Sequence, residues 1–355
     1  MPPKSTAKSS KDHLPNQMVI SMVAAVAIAH LLNDLIQAVL PAIYPMLKIE
    51  FNLSFSQIGL IALIYQITAS LLQPFVGLYT DRHPLPYLLP VGMSITLVGI
   101  TVMAFATHFY ILLLAAVLVG IGSSTFHPEA SRVARMASGG RFGTAQSAFQ
   151  VGGNSGSAIG PLLAALIIVP NGKSAVAWFT GFALLAIFIL FRVSRWLIQQ
   201  AQQPKKQSAI QHTGLKGILL YRALGVIGIL MLVKFTYIAS ISNYYTFYLM
   251  ERFSLSLVQS QVYLFAFLAA VALGTFAGGP IGDKIGRSAV IWVSFLGIIP
   301  FALVLPYVNL MWTAILSIMI GLVISSAFSA MVVYAQEAMP GRVGLVSGLM
   351  FSMMF

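Results

Sequence analysis

The chain has 355 residues, 58% of them hydrophobic and 8% charged, with a net charge of +12. Soluble domains carry about 25% charged residues, so this composition excludes a water-soluble domain and points to a polytopic membrane protein. The lack of cysteine excludes disulfides, thiolate chemistry and Cys-based metal sites.

Residues 1–16 are polar and basic, with Lys4, Lys8 and Lys11. They read as a cytoplasmic tail rather than a signal peptide. The apolar run that follows is too long, carries Asp34 and has no clear small-residue cleavage site. Hydropathy then predicts spans at Gln17–Tyr44, Ser56–Thr80, Tyr87–Ala106, Tyr110–Arg135, Phe142–Val169 and Ala175–Leu197. A polar linker, Gln199–Gly214, separates these from Ile218–Met250, Leu257–Pro280, Ser288–Val308, Met311–Ala338 and an eleventh span beginning at Val343. The expected organisation is an all-α membrane protein with a tail (1–16), an N-terminal lobe (17–198), a linker (199–214) and a C-terminal lobe (215–355). With the N-terminus inside, sixteen of the twenty basic residues fall in inner segments. Three (Lys48, Lys173, Arg252) fall outside and Lys234 lies within a span. The positive-inside rule fixes that orientation, and it explains the basic balance without nucleic acid.

Internal repeats divide the chain in two. Phe51-Asn-Leu-Ser-Phe-Ser-Gln57 recurs as Phe253-Ser-Leu-Ser-Leu-Val-Gln259, Asp81-Arg82 as Asp283-Lys284, and Ser123-Ser-Thr-Phe126 as Ser325-Ser-Ala-Phe328, each at an offset of 202. Gly140-Arg-Phe-Gly143 recurs as Gly341-Arg-Val-Gly344 at 201. Two parallel six-helix halves follow, the plan of a two-lobed transporter. On that plan the second lobe is expected to extend about 47 residues past Phe355, so the chain reads as C-terminally truncated.

The first span carries His30, Asn33, Asp34 and Gln37 at offsets of three, four and seven, hence on one helical face. An ionised Asp near the bilayer centre costs about 2.5–3.5 kcal/mol, so such a residue is expected to face a functional interior. Glu129, beside His127 in the fourth span, either takes a proton or pairs with Arg82; Arg132, one turn on, is within its reach. Lys234 in the seventh span needs a carboxylate, an anionic substrate or a lowered pKa. Tyr237 and Tyr245 share its face, and Gln66, Gln150, Asn154 and Asn243 are further polar candidates for a central cavity.

Gly77-x-x-x-Asp81-Arg82 and Gly279-x-x-x-Asp283-Lys284-x-Gly286-Arg287 resemble the loop signature of the major facilitator superfamily; the first copy departs after Arg82, with Pro84 where glycine is expected. Physically such a loop is a latch: its Asp meets a helix N-terminus and its basic residue a carboxylate. Gly77, Asp81, Arg82, Asp283, Lys284, Arg287, Arg132 and Glu337 are the expected cytoplasmic gate. Gly156-x-x-x-Gly160-Pro161 resembles the antiporter motif of proton-coupled exporters in that superfamily, and its glycines allow close helix contact.

Longer strings narrow the resemblance. His30-Leu-Leu-Asn33-Asp34-x-Ile36-Gln37, Phe126-His127-Pro128-Glu129-x-Ser131-Arg132, and Ala239-Ser-Ile-Ser242-x-Tyr244-Tyr245 are similar to bacterial fosmidomycin resistance proteins. The resemblance implies a monomeric, inner-membrane, proton-driven exporter of a small anionic phosphonate drug. Asp34, with His30, His127 and Glu129, is the candidate proton-coupling set. Lys234, with Asn33, Gln37 and the polar and tyrosine residues above, is the candidate binding set. An importer or facilitator of a small organic anion, or a non-transporting fragment of such a carrier, is the other reading. No cofactor, metal site or enzymatic centre is expected, since His127 lies outside H-E-x-x-H and no nucleophile cluster is visible.

Overall fold

The structure, a computed structural model, describes residues 17–202 and 217–354. The tail and residues 203–214 of the linker expected from the sequence lie outside the described residues; 199–202 continue the preceding helix. The first lobe contains α1 (Ile20–Ala42), α2 (Tyr44–Glu50), α3 (Phe55–Gln66), α4 (Gln73–Arg82), α5 (Leu88–Ala104), α6 (Phe109–Ala137), α7 (Phe142–Leu163), α8 (Val169–Asn171) and α9 (Thr180–Gln202). The second contains α10 (Gly217–Phe253), α11 (Leu257–Ile285), α12 (Arg287–Gly297), α13 (Ile299–Val304), α14 (Leu310–Ala338) and α15 (Val343–Ser352). Among the described residues nine helical stretches are long and apolar enough to cross a membrane.

The helices differ from the hydropathy spans where chain chemistry interrupts them. The first ends at Ala42, just past Pro41, and a separate short α2 follows. The second is α3 and α4 joined through a π-helical turn at Ile67–Leu71; the fifth relaxes into another at Ala164–Ile168. The ninth breaks at Ile298, just before Pro300, which lacks a backbone donor.

The first repeat has a structural meaning. Ser54 accepts from the Gln57 amide while the Gln57 side chain accepts from the Ser54 amide, and Ser256 with Gln259 does the same. Asn52 and Ser254 both take positive φ, at 50° and 53°. Each lobe therefore starts its second span with the same turn and capping box.

Within the first lobe α1 packs chiefly against α7. A Cβ at Gly152 or Gly156 would strike the backbone of Ala27 or Leu31, and one at Gly160 would meet Ala38 and Leu35. The small-residue stripe thus brings the two backbones together, as the motif implied, and it buries His30, Asn33, Asp34 and Gln37.

Candidate functional site

Asp34 sits between two imidazoles. Its Oδ2 lies 3.3 Å from Nε2 of His30, one turn back on α1, and its Oδ1 lies 3.4 Å from Nε2 of His127 on α6. Asn33 donates to Oδ1 at 3.0 Å. His30 Nδ1 donates to the Phe149 carbonyl at 2.8 Å, and the ring stacks on Phe149 with centroids 4.0 Å apart. His127 Nδ1 lies 3.3 Å from the Ser123 carbonyl. A carbonyl only accepts, so both rings hold a proton on Nδ1, and in the neutral tautomer both Nε2 lone pairs face the carboxylate. A proton shared between either Nε2 and Asp34 would complete the contact. Gly153 makes the room, since a Cβ there would press on the His30 ring and on Asp34 Oδ2.

Gln37 joins the same face. Its Oε1 accepts from Tyr65 at 2.7 Å and from Ser123 at 2.9 Å. Neither partner stood out in the sequence; Ser123 was visible only as one letter of a repeat. Asn33 Oδ1, Gln37 Nε2 and Gln150 Oε1 are buried without a hydrogen-bond partner among the described residues, so polar capacity remains around the cluster. Gln150 donates to Asn154 along α7 at 3.0 Å. Gln66 is half-buried on α3.

Lys234 on α10 is 3% exposed. Among the described residues it has no ion pair. Its Nζ lies 4.8 Å from the ring centroids of both Phe235 and Phe328. A run of ring contacts links its surroundings to those of His30. Phe149 meets Phe351 at 5.8 Å, Phe351 meets Phe328 at 5.7 Å, and Phe328 meets Phe235 at 5.9 Å. Tyr245 turns to Ser317 on α14 at 2.9 Å, and Tyr237 is half-buried. The Asn243 side chain lies outside the described residues.

At the end of the bundle carrying Asp81 and Asp283, the lobes clasp each other crosswise. Asp81, in the last turn of α4, accepts from the amides of Gly344 and Leu345 at 2.9 Å each, at the start of α15. Asp283, near the end of α11, accepts from Gly143 at 2.9 Å and Thr144 at 2.8 Å, at the start of α7. Each carboxylate meets the orphan amides and positive dipole end of a helix from the other lobe. Glycine permits the approach: a Cβ at Gly77 would strike the Gly344 carbonyl, and one at Gly279 the Gly143 carbonyl. The two sequence repeats are thus the two partners of one contact, made twice.

The latch's basic side differs from expectation. Arg82 and Lys284 are exposed, and among the described residues neither forms an ion pair. Arg132 pairs with Asp81 at 2.5 Å and Glu129 at 3.3 Å, and Thr80 donates to Glu129 at 2.5 Å. Glu129 therefore partners Arg132, not Arg82. In the second lobe Arg287 pairs with Asp283 at 2.9 Å and Glu337 at 3.3 Å. The physical reason is a local swap. The first copy of the loop carries Leu85 where the second has Arg287, so α6 supplies the guanidinium instead. Both lobes consequently hold an Asp–Arg–Glu cluster, although only its aspartates align at the repeat offset. Gln336 ties the lobes further. It accepts from Arg135 at 3.1 Å and donates to Ser131 at 3.2 Å and Ser347 at 2.9 Å.

Two grooves of about 360 and 300 Å³ lie along α5, lined by Tyr87, Pro90, Val91, Ser94 and Phe191 in one and by Val91, Ser94 and Leu118 among others in the second. No ionisable residue of the clusters above lines either, so charge and burial mark the site better than volume does.

Residues 26–355 match the family model of the Major Facilitator Superfamily. The chain is 56% identical to the fosmidomycin resistance protein of Escherichia coli strain K12, over 94% of its own length and 82% of that protein. It is 42% identical to the uncharacterized MFS-type transporter YfnC of Bacillus subtilis strain 168, over 96% and 84%. Among solved structures, the human organic anion transporter MFSD10 superposes with a TM-score of 0.70 at 18% identity, covering 94% of this chain and 90% of that one. The transporter FucP in its outward conformation does so with a TM-score of 0.68 at 13% identity, over 94% and 88%. The chain belongs to the major facilitator superfamily and is a multi-pass membrane transporter, not an enzyme.

Proposed function

We propose that this member of the superfamily exports fosmidomycin or a related small anionic drug across the bacterial inner membrane in exchange for protons. The observation that carries the reading is Asp34, a carboxylate buried in a membrane helix between two imidazoles whose other nitrogens are committed to backbone carbonyls. Such a group takes up and gives back a positive charge without rearranging its neighbours. The identity to a protein named for fosmidomycin resistance supports the substrate.

The cycle follows from the two ends of the bundle. The crosswise clasp closes the end that is cytoplasmic in this reading, as the positive-inside rule supports. With that end shut, a proton arriving from outside settles among Asp34, His30 and His127. The drug leaves Lys234 on the same side. Opening the clasp then turns the site inward, where the proton departs and the next anion binds. Lys234 suits that role because its ammonium lies near two phenylalanine rings and, among the described residues, has no ion pair, so an anion gains a full charge-assisted contact there. Glu129 and Glu337 hold the arginines of the clasp. The carrier acts as a monomer.

Inside-out vesicles containing the full-length protein should accumulate fosmidomycin when a proton gradient is imposed, and lose it when a protonophore collapses the gradient. Accumulation that ignores the protonophore would sink proton coupling. Uptake in the reverse orientation only would favour the importer of a small organic anion. Lys234→Ala should weaken equilibrium binding of the drug roughly tenfold or more, the size of a lost charge-assisted contact. An unchanged Kd removes Lys234 from the drug site.

A further inference from the structure

We propose that His30, Asp34 and His127 form a binding site for a divalent transition-metal cation of the zinc type, buried in the first lobe. The proposal rests on the geometry of the three side chains and not on the transport reading.

The distances leave room for a shared ion. Charge-assisted N–H···O bonds run about 2.7–2.9 Å. Here the two Nε2-to-carboxylate separations are 3.3 and 3.4 Å. A tetrahedral centre with bonds of about 2.0–2.1 Å has ligand–ligand edges of about 3.3–3.4 Å; His30 stands one such edge from Oδ2 and His127 one such edge from Oδ1, so the carboxylate would ligate through both oxygens or turn one of them toward the ion. One ligand atom from each residue can be chosen so that all lie within 4.8 Å of one another.

The surroundings are those of a metal site. Each imidazole has its Nδ1 against a backbone carbonyl, Phe149 for His30 and Ser123 for His127, the arrangement that fixes the ligating tautomer and the ring orientation. Asn33 donates to Asp34 Oδ1 at 3.0 Å and so steadies the carboxylate's orientation. Asn33 Oδ1 is itself buried and without a partner among the described residues. Gly153 keeps the space beside His30 and Asp34 free of a side chain. Three protein ligands leave a fourth position open, as in zinc centres that exchange their fourth ligand.

The donor set chooses the ion. Two imidazoles and one carboxylate suit zinc, nickel or copper(II), while magnesium and calcium prefer all-oxygen shells. A cation seated here occupies the same three atoms that receive the proton in the proposed cycle. It would therefore hold the carrier in one charge state and stop turnover.

The test uses purified full-length protein without a histidine tag, titrated calorimetrically with zinc alone. The other four histidines are first replaced, as His13→Asn, His83→Asn, His108→Asn and His212→Asn, to remove surface binding. One zinc per chain should persist. Adding His127→Asn should weaken it at least about tenfold. X-ray absorption on the loaded chain supplies a readout that needs no variant in the site. It should show two imidazole nitrogens and a carboxylate oxygen at about 2.0–2.1 Å. Loss of stoichiometric uptake once the four other histidines are gone, an unchanged affinity in His127→Asn, or a shell of oxygens only would overturn the proposal. Zinc binding by a chain that fails to respond to a proton gradient would keep this site and discard the coupling, so the two readings fail separately.

Discussion

Asp34→Asn should reduce gradient-driven drug accumulation at least about a hundredfold, the scale of a lost proton-transfer group. The fold should survive. The amide has nearly the carboxylate's volume, keeps an oxygen for the Asn33 donor, and turns its NH₂ toward one of the two Nε2 lone pairs. The variant exchanges one unpaired lone-pair contact for a satisfied one, but it no longer carries a charge that a proton can cancel. Downhill exchange of drug for drug, which needs no proton, should therefore continue. Accumulation against the gradient and drug–drug exchange are both measured in the same vesicles. Coupled accumulation near the wild-type rate would remove Asp34 from the proton pathway, and loss of both activities would indicate a collapsed helix pair instead.

The second large effect belongs to the clasp. In Gly77→Val the new side chain meets the Gly344 carbonyl, and in Gly279→Val it meets the Gly143 carbonyl; both obstacles are backbone, which cannot swing away. Overpacking of this kind costs about 1–3 kcal/mol, and the cost falls only on the closed state. The equilibrium should shift toward the open state by about 5–150-fold, and transport should drop accordingly. The chain has no cysteine, so spin labels at Arg82→Cys and Arg342→Cys report the gap between lobes without background. A longer distance population should appear in each valine variant. An unchanged distance distribution together with normal transport would show that the glycine contacts do not govern closure.

Long-range contact was the part of this protein least legible beforehand. The spans, the two lobes and the polar face of the first helix were readable because each is written in a local pattern: apolar runs, a repeat offset, spacings of three and four. Asp34 was recognisable as costly from its own helix. His127 joined the same candidate set only through the family resemblance; that its ring faces the Asp34 carboxylate could not be read, because His127 lies on α6, and α1 and α6 meet only through packing that periodicity does not encode. The same limit explains Arg132. The first copy of the loop has Leu85 in place of an arginine, and the charge is supplied from a different helix, so residue-by-residue comparison of the repeats does not pair Arg132 with Arg287. Phe149, Phe328 and Phe351 read as ordinary apolar residues, and only the structure shows that they meet edge to face in a run of rings from the His30 side to the Lys234 side. Arg82 and Lys284 were the converse case. They stand inside a strong motif, yet their side chains point outward, where a basic residue near a membrane surface meets water and anionic lipid.

The crosswise clasp is, in geometry, the isologous contact of a twofold dimer written into one chain. The loop of the first copy grips the helix start of the second, and the loop of the second grips the helix start of the first. In a true homodimer any substitution would change both grips together. Here each can change alone, and one already has, with Arg132 standing in for the arginine its own loop lacks. Fusion of the two lobes thus lets closure be adjusted in half-steps, one grip at a time, a freedom that a pair of identical subunits does not have.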